Sequence, residues 1–420
     1  MTTRSQTRTP DAGRGAAAAS AAVVSAPVSA KSSAKAPPRL AVVAASWLRR
    51  LFLRCADRML PSQLGILDHA HGFAKAHVLS TMAELGVADH LAEGPRSADQ
   101  LADTIGCEPE ALHRLLRAAA VFGAVRLDRS GRFHATRFTD VLRAGHPSAA
   151  ADWCRYIGSI SQQSAWADLT ESVRTGASSF RRVHDMSMFD WFDAYPEEGQ
   201  HFSAGLGGLT RAEAPLIVKA YPFPKTGVVC DVGGGQGVML AEILQARPHL
   251  RGILVDSAPV LEQARTYLRA RGLEARVDLV PGDVLGQVHA EADIYLLKWI
   301  LHDWDAPTCR QIVRTITATM PAGARLVAIE GDLGRNDVDP RFSMIDLQML
   351  VVTEGGRERS ADQIQEILTS SGLLPGPRRT TATGLALIEV TKPHPTKAAH
   401  GTPPGGSPSN ASQPDPTAAP

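Results

Sequence analysis

Asp231-Val232-Gly233-Gly234-Gly235-Gln236-Gly237 is the stretch on which the rest of the chain turns. It follows a short β-branched run and leads directly into a helical pattern. Glycines at such a turn take positive φ and let a ligand approach the backbone closely. A dinucleotide fingerprint would place glycines at 233, 235 and 238, yet position 238 is Val238. A P-loop lysine followed by Ser or Thr is missing too. The turn therefore predicts a ligand that carries no pyrophosphate.

Downstream of the turn, strand-like runs at 227–231, 252–256, 277–280, 294–297, 325–330 and 385–390 alternate with helical patterns. The helical patterns lie near 238–246, 258–271, 308–320 and 361–371. Such alternation means an α/β fold, doubly wound around a mostly parallel Rossmann-like sheet. Ligands of these sheets sit beyond the carboxyl ends of the strands. Asp231 ends the first strand. Asp256 ends the second, about twenty residues past the turn, where a carboxylate can accept from a ribose diol. Asp283 follows the third, placed to accept from an exocyclic amine of adenine. Any one of these acids could be an ordinary loop or cap residue. Three of them at successive strand ends, beginning with the glycine turn, describe a nucleoside site.

Upstream, apolar residues recur at helical spacing through Val78, Met82, Leu85, Val87 and Leu91. Ser97 is a candidate N-cap for a helix carrying Leu101 and Ile105 that stops at Gly106, and a second helix over 108–122 follows. Short runs at 124–127 and 132–135 around Asp128-Arg129-Ser130-Gly131 predict a hairpin. Helix, helix, hairpin is a winged-helix arrangement. Arg114 and Arg117 on its second helix raise the possibility of a DNA-binding regulator. That helix is rich in Leu and Ala and poor in base-reading amides, which favours a packing or dimerisation module and no nucleic-acid partner. Helical patterns continue to about Pro215, with Trp153, Tyr156, Trp166, Phe180, Phe189, Trp191, Phe192 and Phe202 as core or as cavity walls.

The chain of 420 residues has 44% hydrophobic and 21% charged residues and a net charge of +1, which suits a soluble protein without a polyanionic partner. Cys55, Cys107, Cys154, Cys230 and Cys309 are scattered, as reduced cytoplasmic thiols would be. No metal site is expected, and His69, His71 and His77 are read as structural. Residues 1–40 and 392–420 have the small, polar and Pro-rich composition of disordered extensions. No apolar run is long enough for stable membrane insertion, and 40–48 reads as a packed or surface-lying helix. The expected organisation is an extension at 1–40, a helical winged-helix-like dimerisation and substrate domain at 41–215, a nucleoside-binding domain at 216–391, and a tail at 392–420.

Five motifs, in order, carry a family resemblance. They are the glycine turn, Leu297-Lys298-Trp299-Ile300-Leu301-His302-Asp303-Trp304-Asp305, Ala328-Ile329-Glu330, Asp346-Leu347-Gln348-Met349-Leu350 and Gly355-Gly356-Arg357-Glu358-Arg359. From roughly residue 64 to 390 the chain resembles the plant caffeate/isoflavone-type O-methyltransferases and their bacterial natural-product-tailoring relatives. The resemblance implies a methyltransferase domain behind a dimerisation domain, S-adenosyl-L-methionine as cofactor, a homodimer, and a small hydroxylated aromatic or polyketide-like acceptor. It also implies roles. Asp231, Gly233, Gly235, Asp256, Asp283 and Lys298 would bind the cofactor. His302 would be the general base, oriented by Glu330 and Glu358. Met349 and Trp299 would line the acceptor pocket.

The chemistry is consistent with those roles. Methyl transfer from a sulfonium is an in-line displacement governed by positioning. A phenol ionises near 10 and imidazole near 6.5, a gap of about 4.8 kcal/mol against proton transfer. A carboxylate behind the imidazole and the cofactor's positive charge both narrow it. His302 by itself could be a helix-start residue with Asp303 or Asp305 as cap. Two departures fall on the acceptor side. Asp185 follows His184 where the family often has glycine, and Leu206 replaces a common Met. A relative with a different tailoring reaction would be expected to lack the histidine.

Overall fold

The structure, a computed structural model, describes residues 39–334 and 340–395. The extensions expected to be disordered fall outside these residues, apart from their inner ends.

Strand–helix alternation produces a seven-stranded sheet. Its strands are β3 (Gly227–Val232), β4 (Leu250–Asp256), β5 (Val277–Pro281), β6 (Ile294–Lys298), β7 (Arg325–Glu330), β8 (Leu374–Thr380) and β9 (Ala386–Thr391), after the upstream hairpin β1 (Val125–Leu127) and β2 (Phe133–Ala135). The order is β5-β4-β3-β6-β7-β9-β8. The first five pair in parallel, whereas β9 runs antiparallel to β7 and to β8. Chain direction switches sides between β3 and β6, so the carboxyl ends of these two central strands bound the crevice where ligands bind in such sheets.

Both sheet faces are apolar because helices cover both. Ile294 and Leu296 of β6 face one core with Leu240, Ile243, Leu254 and Ile217. Tyr295 and Leu297 face the other with Val313, Ile316, Ile364 and Leu368. The period of two along a fully apolar strand thus feeds two cores. β8 was not visible as a strand in the sequence. Its Pro375, Gly376 and Pro377 disfavour sheet, and such residues are accommodated only at an edge, here with a register shift between Pro375 and Arg378.

The winged-helix reading holds. Ser97 caps the helix Ala98–Ile105 in a capping box with Gln100, and Gly106 ends it in the left-handed region. The helix Pro109–Val121 and the hairpin follow, with Leu101, Leu112, Leu116 and Phe133 buried together. The helix Pro196–Ala220 runs through Pro215 and ends five residues later, so the expected boundary at 215/216 falls inside a helix. That helix carries side chains from the helical layer to the strand ends. Among the described residues no helix is long and apolar enough to cross a membrane.

Candidate functional site

The glycine turn is shaped by contact as well as by φ. Gly233 and Gly235 have φ of 69° and 59°, where a side chain is strained. A Cβ on Gly234 would lie 2.5 Å from Leu254 Cδ1 and 2.6 Å from Asp231 Cγ, whereas one on Gly235 would meet open space. The Gly235 N–H donates to Asp256 Oδ2 at 2.9 Å and the Ser257 N–H to Oδ1 at 2.8 Å. Two backbone donors thus fix the Asp256 carboxylate beside the turn. Burial pushes that carboxyl above its ordinary range, opposed by the same two donors.

Asp231 is fully buried, and its Oδ2 has no hydrogen-bond partner among the described residues. Burial pushes its carboxyl up to about 7, with Lys298 pulling the other way. An orphaned buried carboxylate oxygen asks for a donor from outside the chain. Asp283 is placed differently. It is exposed, and one of its oxygens accepts from the Leu285 N–H in its own turn at 2.9 Å. Its turn stays next to the second strand through the Gly282 N–H, which donates to the Asp256 carbonyl.

Lys298 lies at the end of β6 in a buried ion pair with Glu213, Nζ to Oε2 3.0 Å, and donates to Thr210 Oγ1 at 3.1 Å. Trp299 takes φ of 55°, a conformation costing about 1–3 kcal/mol that persists only where surroundings enforce it. Its indole N–H reaches the same Glu213 Oε2 at 3.3 Å, and its backbone N–H reaches the Ile329 carbonyl. Glu213 and Thr210 escaped sequence reasoning because they sit on a helix read only as scaffold.

The bend at Trp299 throws the chain into a short 3-10 turn, Leu301–Asp303, that holds His302. Asp305 caps the next helix by accepting from the Thr308 N–H, so His302 is not its helix-start residue. The Glu358 carboxylate accepts from His302 Nδ1 at 2.6 Å. Glu330 Oε1 accepts from the Ile300 and Leu301 N–H groups at 3.1 and 2.9 Å, while its Oε2 has no hydrogen-bond partner among the described residues. It therefore positions the loop, although its carboxylate, that of Glu358 and the imidazole offer atoms within 4.8 Å of one another. Asp303, which the sequence offered only as a cap, places Oδ1 3.4 Å from His302 Nε2. Arg359 is buried and donates to the Leu301 and Trp304 carbonyls, both at 2.6 Å, clamping the turn.

Burial alone would lower the His302 pKa. Asp303, the Glu358 hydrogen bond and the Glu330 charge overcome it, and the imidazole is pushed up to about 9. Burial pushes Asp303 up to about 6 and Glu330 up to about 7, in both cases against the pull of His302.

The glycine turn and the loop that carries the imidazole are in contact. A Cβ on Gly233 would touch Ile300 Cδ1 at 2.6 Å, and the Trp299 ring lies 5.0 Å from that of His302. Met349 is buried with Phe180, Met188 and Ala165, against the partly buried Trp166, Trp191, Phe192 and Phe202. Five of the aromatic positions of the sequence therefore share one cluster, and Phe189 stacks on Trp304 beside the His302 turn at 6.0 Å. Asp185, the departure after His184, has φ of 57° and ends the helix Ser179–His184. It occupies a left-handed position that glycine takes without strain and Asp tolerates.

Residues 67–144 match the O-methyltransferase dimerisation domain, and residues 166–374 match the O-methyltransferase domain. The mitomycin biosynthesis 6-O-methyltransferase of Streptomyces lavendulae is 36% identical over 309 residues, 73% of this chain and 87% of that protein. The crystal structure of LaPhzM superposes with a TM-score of 0.76 at 32% identity, covering 79% of this chain and all of that one. CalO1, a methyltransferase in calicheamicin biosynthesis solved in its S-adenosylhomocysteine-bound form, gives 0.68 at 29% identity over 79% of this chain and 98% of that one. The residues here fit such a nucleoside cofactor. The Asp231 Oδ2 has no partner among the described residues, the Asp256 carboxylate is fixed beside the turn by two backbone donors, and the backbone at Gly235 is open to close approach.

Proposed function

Because the chain belongs to the S-adenosylmethionine-dependent O-methyltransferases, we propose that it methylates a hydroxyl of a small aromatic or polyketide-like acceptor, with His302 as general base. When bound, S-adenosylmethionine supplies a methyl group on a positively charged sulfur. Asp256 would hold the ribose, the glycine turn would seat the amino-acid portion with Asp231 receiving its donor, and Asp283 would face the adenine. Lys298, paired with Glu213 and acting on the Asp231 carboxylate, would contact the cofactor beside Asp231.

The observation that carries the reading is the His302–Glu358 hydrogen bond of 2.6 Å on a loop that touches the glycine turn. Glu358 fixes Nδ1 as the donor and leaves Nε2 for the acceptor hydroxyl. The acceptor O–H bond breaks, its proton goes to Nε2, and the oxygen lone pair forms the new O–CH3 bond as the sulfur keeps the electrons of the old one. An imidazole at about 9 stands within about one pH unit of a phenol, which cuts the cost of proton transfer to about 1.4 kcal/mol. Met349 and Trp299 would wall the acceptor beside the aromatic cluster.

The dimerisation-domain match supports a homodimer. Leu64, Ile66, Leu67 and Phe73 stand exposed near its start and would be covered by a second copy. The five free cysteines suit a cytoplasmic enzyme. The test is incubation with cofactor labelled in the methyl group and a panel of hydroxylated aromatics. Label on oxygen is the expected result, and a protein that binds cofactor yet labels no member of the panel counts against the reading.

A further inference from the structure

The helix Ile160–Ala167 carries Gln162, which is fully buried. Its Oε1 accepts from Gln348 Nε2 at 2.9 Å, and Gln348 Oε1 accepts from Trp166 Nε1 at 2.7 Å. An indole N–H can only donate. That fixes which end of the Gln348 amide is oxygen, and Gln348 in turn fixes Gln162. The relay therefore runs one way and ends on Gln162 Nε2, a buried amide nitrogen with no partner among the described residues. A buried amide left without a partner is costly, and native structures rarely tolerate it without a reason.

Two connections link this amide to the base. Gln348 is next to Met349 and two residues from Asp346, whose Oδ1 accepts from the Glu358 N–H at 2.9 Å, and Glu358 holds His302. Tyr156, six residues before Gln162 on the preceding helix Ala150–Gly158, feels both the Gln348 amide and the Asp303 charge. Asp303 lies beside the nitrogen left for the acceptor. The relay thus ends on a buried donor and is linked, through the helix that carries Gln348 and Asp346, to the groups that hold His302.

We propose that Gln162 recognises the acceptor, and that the acceptor carries, besides the hydroxyl to be methylated, a carbonyl oxygen that receives the Gln162 Nε2 hydrogen bond. The substrate class is then a hydroxylated aromatic ketone or quinone rather than a plain phenol. This rests on the acceptor site of the proposed function and narrows it. Sites built to hydrogen-bond a substrate group discriminate strongly against analogues that lack it, because the buried partner is left unpaired. Gln348 and Trp166 act behind Gln162, as positioning residues that set the direction of the donor.

The test is equilibrium binding to the full chain saturated with S-adenosylhomocysteine, using matched pairs such as 5-hydroxy-1,4-naphthoquinone with 1-naphthol and 2-hydroxyacetophenone with 2-ethylphenol. The oxo member should bind at least tenfold more tightly. Gln162→Leu should bring the two within twofold by weakening the oxo member alone. Gln162→Glu keeps the link to Gln348 and replaces the donor by an acceptor, so it should abolish or invert the preference even if the leucine variant fails to fold. Equal binding of both members by the wild type, binding of neither in any pair, or a preference that survives both substitutions overturns the proposal. A merely structural role would weaken both members alike. Transfer is scored separately with labelled cofactor. Preference without product sinks the proposed reaction and leaves Gln162 assigned, and product without preference does the reverse.

Discussion

The two halves of the crevice are built by different means. On the sheet side, the backbone does most of the work: glycines with positive φ, and N–H groups from Gly235 and Ser257 that fix Asp256. On the helical side, the work falls to side chains drawn from distant positions. Trp166, Gln348 and Gln162 form one relay, and Phe180, Met188 and Met349 share one cluster. A site made of backbone is tied to a short contiguous motif. One made of packed side chains can change its ligand by single substitutions while the fold stays. On the proposed reading, the cofactor half is therefore the part that tolerates least change, and the acceptor half is the part where substitution would alter specificity.

His302 stands between the two halves, and its removal should give the largest separation between them. For His302→Ala we expect methyl transfer to fall by about 10²-fold or more, with cofactor affinity changed less than about twofold, as measured by labelled transfer and by calorimetric titration. Undiminished turnover would remove His302 from the role of base. Glu213→Ala tests whether the halves are mechanically joined. It leaves Lys298 buried without its ion-pair partner, at a cost of about 3 kcal/mol in thermal unfolding, and it frees the Trp299 indole. A melting curve indistinguishable from wild type would show that the helix carrying Glu213 merely rests on the sheet. Asp256→Ala should weaken cofactor binding by about 30-fold, the scale of a lost charge-assisted hydrogen bond. Acceptor preference should stay put, and a shift in preference would mean that the halves are not separable.

The same contrast decides what could be read in advance. The sheet was legible because β3, β4, β5, β6 and β7 are largely apolar runs separated by helical patterns, with acids closing β3, β4 and β7. β8 was hidden by Pro375 and Pro377, which only an edge position excuses. Among site residues, Asp231, Asp256 and His302 lie at strand ends, where topology alone predicts ligands. Glu330 was placed with the base by resemblance, but its hydrogen bonds go to the Ile300 and Leu301 backbone, a use that no motif shows. Glu213 and Gln162 matter only through partners about 85 and 186 residues away. No local pattern encodes such pairings, and a helical period shows only that the residue is on a helix.

The smallest expected effect bears on the junction itself. His302, Asp303 and Glu330 are all pushed above their ordinary values, to about 9, 6 and 7, so the folded cluster holds more protons than the unfolded chain. Stability contributed by the raised imidazole is complete below about pH 6.5 and is lost as pH rises through about 9. The two raised carboxyls add a loss in the same direction from about pH 4 upward. Activity has the opposite sign, because the base must be neutral: kcat/KM should climb with pH until about 9. Asp303→Asn removes one negative neighbour of the imidazole while keeping its size. The activity limb should then move down by about one pH unit, without change in cofactor affinity. Gain of rate at neutral pH together with a stability curve less sensitive to alkali would show that Asp303 sets the basicity of His302. An unmoved limb would mean that Glu358 and Glu330 set that basicity without Asp303.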